Sequence, residues 1–524
     1  MVRVLNVYTI SAFVALGGGL WGFDIASLSG IIGTEQYQSY FDNPLGIRQG
    51  VITSSMAGGS LVGALSSSFL GDRLSRKIAM QIGAVLWCIG TVIQSASNGV
   101  PMLIVGRVIA GLCIGLTSAL VPIYQSEIAP RTIRGRVVVF QYFAITCGIT
   151  VQYVIEYGCS FLDSTASFRL PWAIQVIPAA IYFVGLFWFP YSPRWLASVD
   201  RWDETLRVLA LLRTANGDIN NPLVIAEYKE IEDQIRCERE EHSNSYRELI
   251  SRKMRKRVLL SVAVQMWAQL SGINIMMYYI VYILQSAGIA NLRLASSIQY
   301  VINMIMTIPP IIWIDKWGRR PALLLGAPIL SFWLFLVGGL FKQYGEPNPA
   351  TDQPNTWIIV GHRSASLAIL ACLYLGVATF ALTWGPVALI YPPEIVPLRI
   401  RAKSVSLATV SDWAANYALG LSVPPLFRSV QWRVFFIFGT FDILAFIHVW
   451  FTAPETKKRT LEEMDEVFEH GKPLWKSFLD RRESDKLEML ARDIENERLR
   501  QSTRAHVQQL ATQSLDSVNS GDLA

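Results

Sequence analysis

The chain has 524 residues and a formal net charge of +6, and 52% of its residues are hydrophobic whereas only 16% are charged. An average soluble domain carries about 25% charged residues, so this composition excludes an ordinary water-soluble protein. The basic residues lie in short loops between apolar segments, which indicates membrane topology rather than nucleic-acid binding.

Apolar segments of bilayer length recur from the first residues onward and predict an all-α membrane protein. A transmembrane β-barrel would instead show alternating segments of about 10 residues. The first segment continues into "WGFDIASLSG" without a small-residue cleavage site, so we interpret it as a retained span rather than a signal peptide. The twelve predicted helices lie near residues 8–28, 50–71, 78–96, 101–125, 137–158, 171–190, 258–285, 295–314, 321–341, 366–390, 403–427 and 432–453.

Lys and Arg concentrate in the loops on one side of the predicted helices. Those loops contain "GDRLSRK", "RTIRGR", residues 191–257, "DKWGRR", "PLRIRAK" and "TKKR". The positive-inside rule places that side in the cytoplasm, together with both termini.

The two halves of the chain repeat each other. "GDRLSRK" follows span 2 and "DKWGRR" follows span 8, while "SEIAPRTIRGR" follows span 4 and "PEIVPLRIRAK" follows span 10. This predicts a six-plus-six repeat with a binding site between the halves near the middle of the membrane. The predicted parts are a first half (1–190), a cytoplasmic loop with short amphipathic helices (191–257), a second half (258–453) and a cytoplasmic tail (454–524).

The polar tail carries one weak apolar stripe, formed by Leu487, Leu490 and Ile494. A solvated segment and a partner-binding helix both remain open for it. The sequence shows no nucleophile–base pair, no cluster of metal ligands and no phosphate-binding loop in the right context. We therefore predict a protein that is not an enzyme and needs no metal or cofactor.

Two charged residues lie deep in predicted spans, Asp24 in span 1 and Arg107 in span 4. Each alone costs about 2.5–3.5 kcal/mol on insertion scales, so we expect the two to pair. The pair is either a structural salt bridge or a proton site, in which protonation of Asp24 releases Arg107 and changes the balance between conformations.

Uncharged polar side chains lie deep in three spans of the second half, joined there by one acid and one aromatic residue. These candidates are Gln265, Gln269 and Asn274 in span 7, Asn303 in span 8, and Asp412, Trp413 and Asn416 in span 11. Amides both donate and accept hydrogen bonds, so they can pair with sugar hydroxyls in either direction, and an aromatic ring can cover the apolar face of a sugar. The alternative is that the amides join neighbouring helices.

Several motifs in combination resemble those of the sugar porters of the major facilitator superfamily. They are "GDRLSRK", "GRVIAGLCIG", "VPIYQSEIAPRTIRGR", "PYSPRWL", "QLSGINIMMYY", "DKWGRR", "YPPEIVPLRIRAK" and "PETKKRTLEEMDEVF", each at the end of the appropriate span. Within that family the chain is most similar to fungal high-affinity glucose transporters. The resemblance implies the twelve-helix major facilitator fold, a plasma-membrane monomer with no cofactor, and import of a hexose or pentose with a proton by alternating access.

The resemblance also assigns roles to individual residues. Asp24 and Arg107 match the proton-coupling positions of symporting relatives, and Gln265, Gln269, Asn274, Asn303, Asn416 and Trp413 match sugar-contact positions. The sugar site departs from the family at four residues, which are Tyr142 and Ala268 in place of Gln, Leu389 in place of Trp, and Asp412 in place of Asn. These departures leave the identity of the sugar open, and we keep Tyr142 and Asp412 among the substrate-binding candidates.

The charged motifs imply a cytoplasmic gate that holds the two halves together. The gate candidates are Asp72, Arg73, Arg76, Glu127, Arg131, Arg134, Asp315, Arg319, Glu394 and Arg401. Ser75 replaces the usual Gly of the first motif, and Tyr191 replaces the usual Glu after span 6, so we expect a less tightly closed gate than in relatives.

Four other functions remain open from the sequence. The chain fits a facilitative uniporter, a sugar sensor with little transport, a carrier of a disaccharide or polyol, or a carrier of non-sugar solutes. Glu156, expected near the outer surface, and Asp442 and His448 in span 12 have no assigned role.

Overall fold

The structure is a computed structural model that describes residues 6–32, 34–42, 44, 47–214, 217–240, 246–251, 254–289, 291–347 and 357–457, together with Met464 and Phe468. The side chains of residues 131, 234, 237–240, 246, 247, 398 and 399 lie outside that description. The candidate gate side chain Arg131 and the tail stripe of Leu487, Leu490 and Ile494 are therefore not described.

Twelve helical spans form the fold, six before and six after the long loop, which confirms the predicted fold class. The first six spans contain α1 (Val7–Val14) and α2 (Leu16–Ser29), α4 (Ile47–Arg73), α5 (Arg76–Ser95), α6 (Val100–Ile128), α7 (Arg134–Cys159), and α8 (Ala166–Ile174) with α9 (Val176–Gly185). The short helix α3 (Glu35–Tyr40) lies between the first two spans.

The second half repeats this arrangement with more interruptions. Its spans are α13 (Arg255–Leu270) with α14 (Ile273–Tyr278) and α15 (Ile280–Ser286), α16 (Leu292–Met306) with α17 (Ile308–Trp317), α18 (Arg319–Tyr344), α19 (Arg363–Leu382) with α20 (Trp384–Ile395), α21 (Leu398–Val430) and α22 (Arg433–Thr452). An antiparallel pair, β1 (Gly345–Pro347) and β2 (Trp357–Ile359), lies between α18 and α19.

Within the described residues, five spans that the sequence predicts as single helices are broken. Span 7 breaks at Gly272, which has φ +80°, a left-handed conformation that favours glycine. Span 8 breaks at Thr307, just before Pro309 and Pro310, because proline lacks the backbone N–H that continues a helix. Spans 1, 6 and 10 break at Ala15, Gln175 and Thr383.

In the described part of the chain, ten helical segments are long and apolar enough to cross a membrane by composition. The other two spans, α4 and α21, have 27 and 33 residues, which is ample length, but they are more polar. They pack against each other across the boundary between the halves, where the Ser406 hydroxyl donates to the Ala64 carbonyl at 2.5 Å. Many of their polar residues, such as Thr53, Ser60 and Ser404, are buried inside the protein, which is consistent with the lower hydropathy.

Glycines bring the helices of the first half into close contact. A Cβ atom at Gly22 of α2 would overlap the backbone of α7 at Ile145 and Ile149, and one at Gly115 of α6 would overlap the backbone of α4 at Ser60. Small residues at such crossings let two backbones approach each other inside a membrane.

Residues 193–240 belong to a second compact unit, which has its own small core. It contains α10 (Pro193–Ser198), α11 (Trp202–Arg213) and α12 (Pro222–Glu240). Leu209, Ala210, Val224 and Ile231 are buried together, and Arg213 pairs with Glu227 at 2.6 Å. Short helices with one apolar face are what the charge pattern of this loop predicts.

Candidate functional site

The two predicted intramembrane charges form an ion pair. Asp24 of α2 accepts from Arg107 of α6, with 3.0 Å between Oδ2 and Nη2, and both side chains are at most 1% exposed. Arg107 Nε also donates to the carbonyl of Ile52 in α4 at 3.0 Å. Within the described residues, Asp24 Oδ1 and Arg107 Nη1 have no hydrogen-bond partner. The pair therefore holds three helices of the first half together and keeps one oxygen and one nitrogen free.

A chain of hydrogen bonds joins spans 7 and 11 in the second half. Gln269 Nε2 donates to Asp412 Oδ1 at 2.6 Å, and Gln269 Oε1 accepts from Asn416 Nδ2 at 3.2 Å. Asn274 Nδ2 also donates to Gln269 Oε1, and it can do so because the break at Gly272 turns α14 back toward α13. Four of the predicted sugar-contact residues thus meet in one polar cluster, which we call the central cluster.

Tyr278 at the end of α14 connects the central cluster with the ion pair. Its hydroxyl lies within electrostatic range of Asn416 and Asp412 in that cluster and of Asp24 and Arg107 in the ion pair. The sequence analysis did not single out Tyr278. Its position one helical turn after Asn274 is the signal that could have identified it.

The remaining sugar-contact candidates lie outside this chain of bonds. Gln265 donates to the carbonyl of Ala388 in α20 at 2.8 Å, so it joins two helices. Asn303 is buried in α16, and its Oδ1 has no hydrogen-bond partner among the described residues. Tyr142 of α7 packs against Gly385 of α20.

Trp413 faces the first half of the protein. Its Nε1 donates to the Ser118 hydroxyl of α6 at 3.1 Å, and its ring centroid lies 4.9 Å from that of Trp21 in α2. Trp21 precedes Asp24 by three residues and so shares its helix face, a signal that the sequence analysis missed. The two tryptophans join the halves at the level of the site.

Gln141 of α7, the neighbour of Tyr142, is a further polar residue to which the sequence analysis gave no role. It is fully buried, and within the described residues both ends of its amide are without a hydrogen-bond partner. A buried amide in that state costs about 1–3 kcal/mol. Gln141 therefore offers a donor and an acceptor that the protein itself does not use.

Three gate candidates of the first half, Asp72, Arg76 and Glu127, form one group. Arg76 pairs with Asp72 at 3.1 Å and with Glu127 at 3.3 Å, and Glu127 also accepts from the hydroxyl of Ser192. Arg73 lies over the ring of Phe69, with 5.6 Å from its Cζ atom to the ring centroid. Arg134 is buried at the start of α7.

In the second half, Asp315, Arg319 and Glu394 form a corresponding group with shorter ion-pair distances. Arg319 contacts Glu394 through two atoms, Nε at 3.0 Å and Nη2 at 2.8 Å, and Nη2 also pairs with Asp315 at 2.8 Å. Glu455 accepts from the backbone N–H groups of Arg319 and Arg320 at 3.0 and 3.1 Å, which caps the start of α18. Arg401 is buried at the start of α21.

These ion pairs lie within single halves, and a different contact joins the halves at this end. Asp315 of α17 accepts from the backbone N–H of Arg136 at 2.9 Å, so its carboxylate sits at the N-terminus of α7. A helix N-terminus carries a partial positive charge that stabilises such a carboxylate. Arg319 in turn orients Asp315.

The two departures in the gate motifs have visible consequences. Ser75 has φ +103°, nearly the same as Gly318 at φ +106° in the repeated motif, so this serine occupies a backbone conformation that suits glycine. Its hydroxyl accepts from the N–H of Ile78 at 3.2 Å and caps α5. Tyr191 lies with its ring centroid 5.0 Å from the ammonium group of Lys77.

The halves also meet at the opposite end of the helices. The hydroxyls of Ser29 in α2 and Tyr300 in α16 are 3.1 Å apart, and Thr150 of α7 donates to the carbonyl of Tyr300 at 3.2 Å. Arg293 Nη1 donates to the hydroxyl of Ser160 at 3.1 Å. Contacts between the halves thus occur at both ends of the helices.

The acids without an assigned role are buried as well. Glu156 is only 4% exposed, and it accepts from Gln152 at 3.1 Å. Asp442 is buried in α22, and its Oδ2 has no hydrogen-bond partner in the described part of the chain. His448, for which the sequence showed no clear partner, accepts at Nδ1 from Trp267 Nε1 at 3.3 Å.

Comparison with known proteins gives consistent matches over nearly the whole chain. Residues 10–468 match the family model described as "Sugar (and other) transporter". The chain is 51% identical over 490 residues to an MFS glucose transporter of Aspergillus flavus, covering 91% of this chain and 92% of that protein. It is 43% identical over 481 residues to a high-affinity glucose transporter of Kluyveromyces lactis, covering 91% of this chain and 87% of that protein.

Solved structures show the same architecture. The proton:xylose symporter XylE bound to 6-bromo-6-deoxy-D-glucose matches with a TM-score of 0.76 and 25% identity, covering 88% of this chain and 99% of that one. The inward-open form of XylE from E. coli matches with a TM-score of 0.66 and 26% identity, covering 88% of this chain and 100% of that one. The structure is thus more similar to the ligand-bound form than to the inward-open form.

Proposed function

The chain belongs to the sugar transporter family of the major facilitator superfamily, and on that premise we propose that it imports a glucose-like hexose together with a proton. As a member of that family it is an integral membrane sugar transporter and not an enzyme. The proposal adds the sugar, the coupling to a proton and the mechanism.

The observation that carries the coupling is the buried pair of Asp24 and Arg107. Both side chains are almost completely inaccessible, and each keeps one polar atom without a partner within the described residues. A proton on Asp24 would remove its charge and free Arg107 to change its contacts. The two charge states then favour different conformations, which is the thermodynamic requirement for coupling.

The central cluster supports a sugar as the substrate. Gln269, Asn274 and Asn416 bring three amides together, and both ends of the buried Gln141 amide are without a hydrogen-bond partner among the described residues. The named relatives are glucose transporters, and XylE binds a glucose derivative. Tyr278 interacts electrostatically with residues of both the central cluster and the ion pair. We therefore expect Tyr278 to couple sugar binding to protonation of Asp24.

Contacts at both ends of the helices support a mechanism of alternating access. The end with the charged motifs is held by Asp315 on the N-terminus of α7, and the opposite end by Ser29, Thr150 and Tyr300. Each set of contacts must open in turn for a solute to pass. We assign the charged end and both termini to the cytoplasm by the positive-inside rule, and the protein to the plasma membrane as a functional monomer.

Uptake in a yeast strain that lacks hexose carriers tests the proposal. Labelled glucose, xylose and sucrose are supplied at acidic and neutral pH, with and without a protonophore, to cells expressing the wild type, Asp24→Asn or Asp442→Asn. We expect concentrative glucose uptake that is faster at acidic pH, lost in Asp24→Asn and kept in Asp442→Asn, which removes a buried acid outside the site.

The other possible functions give different outcomes in the same assay. Glucose uptake that ignores both pH and protonophore would identify a uniporter and overturn the coupling. Transport of sucrose without glucose would overturn the assigned sugar. Absence of any uptake, with the protein present at the cell surface, would favour a sensor.

A further inference from the structure

We propose that the same site also accepts amino sugars, with the protonated amino group of the sugar bound against Asp412. The inference rests on the proposed sugar site and adds a chemical class of substrate to it. It starts from the difference between two buried acids, Asp24 in the first half and Asp412 in the second.

Asp24 and Asp412 are buried to a similar degree but have different partners. Asp24 pairs with the guanidinium of Arg107 at 3.0 Å, whereas the hydrogen-bond partner of Asp412 is the neutral amide of Gln269 at 2.6 Å. Among the described residues Asp412 takes part in no ion pair, and it is only 5% exposed. A buried carboxylate is stabilised most by a cation that donates hydrogen bonds to it. The protein supplies such a cation to Asp24 and not to Asp412.

The direction of the hydrogen bonds makes Asp412 the accepting end of the central cluster. Gln269 turns its NH₂ group to Asp412 and its oxygen away, which is the orientation that an ionised carboxylate requires, because it has no hydrogen to donate. That oxygen then accepts from Asn274 and Asn416, in agreement with the observed bonds. An Asn at position 412 would allow the amide of Gln269 to face either way. The carboxylate therefore fixes the direction of the hydrogen bonds in the central cluster. Any group that binds beside it must donate a hydrogen bond.

The chemistry of the cluster favours an organic ammonium over a metal ion. A divalent cation takes six or more oxygen ligands, usually with several carboxylates. In the described part of the chain no group of three acid, His or Cys side chains could hold a metal. The oxygen of Gln269 is moreover already used by two amides. An ammonium group does not need such a set of ligands, because a single carboxylate such as Asp412 can bind it.

Competition with labelled glucose uptake tests the inference. The competitors are glucosamine, its 3-amino and 6-amino isomers, and the matching deoxy-glucoses. The assay is run at about pH 6.5, which is below the pKa of roughly 7.7 of a typical α-amino group, so that the amino sugars are protonated. The variants are Asp412→Asn and, as matched control, Asp442→Asn in α22. For at least one isomer we expect the inhibition constant of the amino sugar relative to glucose to rise about tenfold in Asp412→Asn and to stay unchanged in Asp442→Asn.

The deoxy-glucoses separate loss of charge from loss of shape. Their inhibition constants relative to glucose should not rise with those of the amino sugars in Asp412→Asn. Glucose uptake without inhibition by any amino sugar in the wild type overturns the inference and leaves the proposed function standing. Equal shifts for amino and deoxy sugars in Asp412→Asn overturn it as well. Absence of glucose uptake in the wild type, by contrast, is a failure of the proposed function itself.

Discussion

At the scale of single residues, the sequence predicts one contact of the site and misses another. The pair of Asp24 and Arg107 follows from the high energy of a lone charge in the membrane, and the structure contains it. The inter-half contact of Trp413 with Trp21 and Ser118 does not follow from the sequence, because periodicity shows which face a residue shares but not which helix it meets.

Ser75 and Gly318 provide a test at this scale, since both need a backbone conformation that suits glycine. Ser75→Gly relieves strain of about 1–3 kcal/mol and loses a few tenths of a kcal/mol of helix capping, so we expect equal or higher thermal stability. Gly318→Ser introduces the same strain and brings a Cβ to 2.6 Å from Glu455 Oε2, so we expect lower stability. Melting of the purified variants in detergent measures both, and a destabilised Ser75→Gly would refute this explanation.

The buried ion pair makes a second prediction for stability. Arg107→Gln leaves Asp24 without its cation, which should lower the free energy of unfolding by about 3–5 kcal/mol. The double variant Asp24→Asn with Arg107→Gln removes both charges and should regain much of that loss, without regaining concentrative uptake. Thermal melting and uptake are measured on all three variants. A double variant no more stable than Arg107→Gln would contradict direct pairing.

Whole elements differ from the sequence-based prediction where helices break. The apolar pattern continues through Gly272, Thr307 and Thr383, so it predicts unbroken spans. The break at Gly272 matters most, because it brings Asn274 back to Gln269. A straight helix would place those two residues on different faces, since they are five positions apart. Sequence periodicity thus locates the residues of the site but not the bend that assembles them.

Gly272→Ala tests the role of that break. The added Cβ takes a strained left-handed conformation and lies 3.2 Å from Leu334 Cδ1 and 3.3 Å from Phe438 Cβ. We expect weaker glucose affinity by about tenfold and a lower melting temperature, because Asn274 is displaced from Gln269. Gly339→Ala is the matched control, since its Cβ meets nothing within 4 Å. Unchanged affinity in Gly272→Ala would show that the break does not position the site.

At the scale of the whole molecule, the repeat and the charged motifs predict the pairing of the two halves. The sequence shows that corresponding acids and arginines recur, but it does not show that their ion pairs lie within each half. The contact between the halves uses the backbone of Arg136, which has no side-chain signature. The packing of α4 on α21 likewise depends on small residues whose role is visible only in three dimensions.

A disulfide across α4 and α21 tests movement of the halves. A Cβ at Gly420 would lie 3.1 Å from that of Ser54, close to the roughly 3.5–4.5 Å of disulfides. We expect oxidised Ser54→Cys with Gly420→Cys to lose sugar uptake and to recover it on reduction, whereas each single variant keeps its activity under oxidation. Full uptake by the crosslinked double variant would mean that this contact stays closed throughout transport.

Movement of protons with sugar in proteoliposomes tests the central claim most directly. The purified protein is reconstituted with an entrapped pH indicator, and glucose is added outside without an imposed proton gradient. We predict that glucose acidifies the lumen in the wild type and in Asp442→Asn, and that Asp24→Asn exchanges labelled glucose without moving protons. Glucose uptake by the wild type without acidification, or equal acidification by Asp24→Asn, would contradict proton symport through this residue.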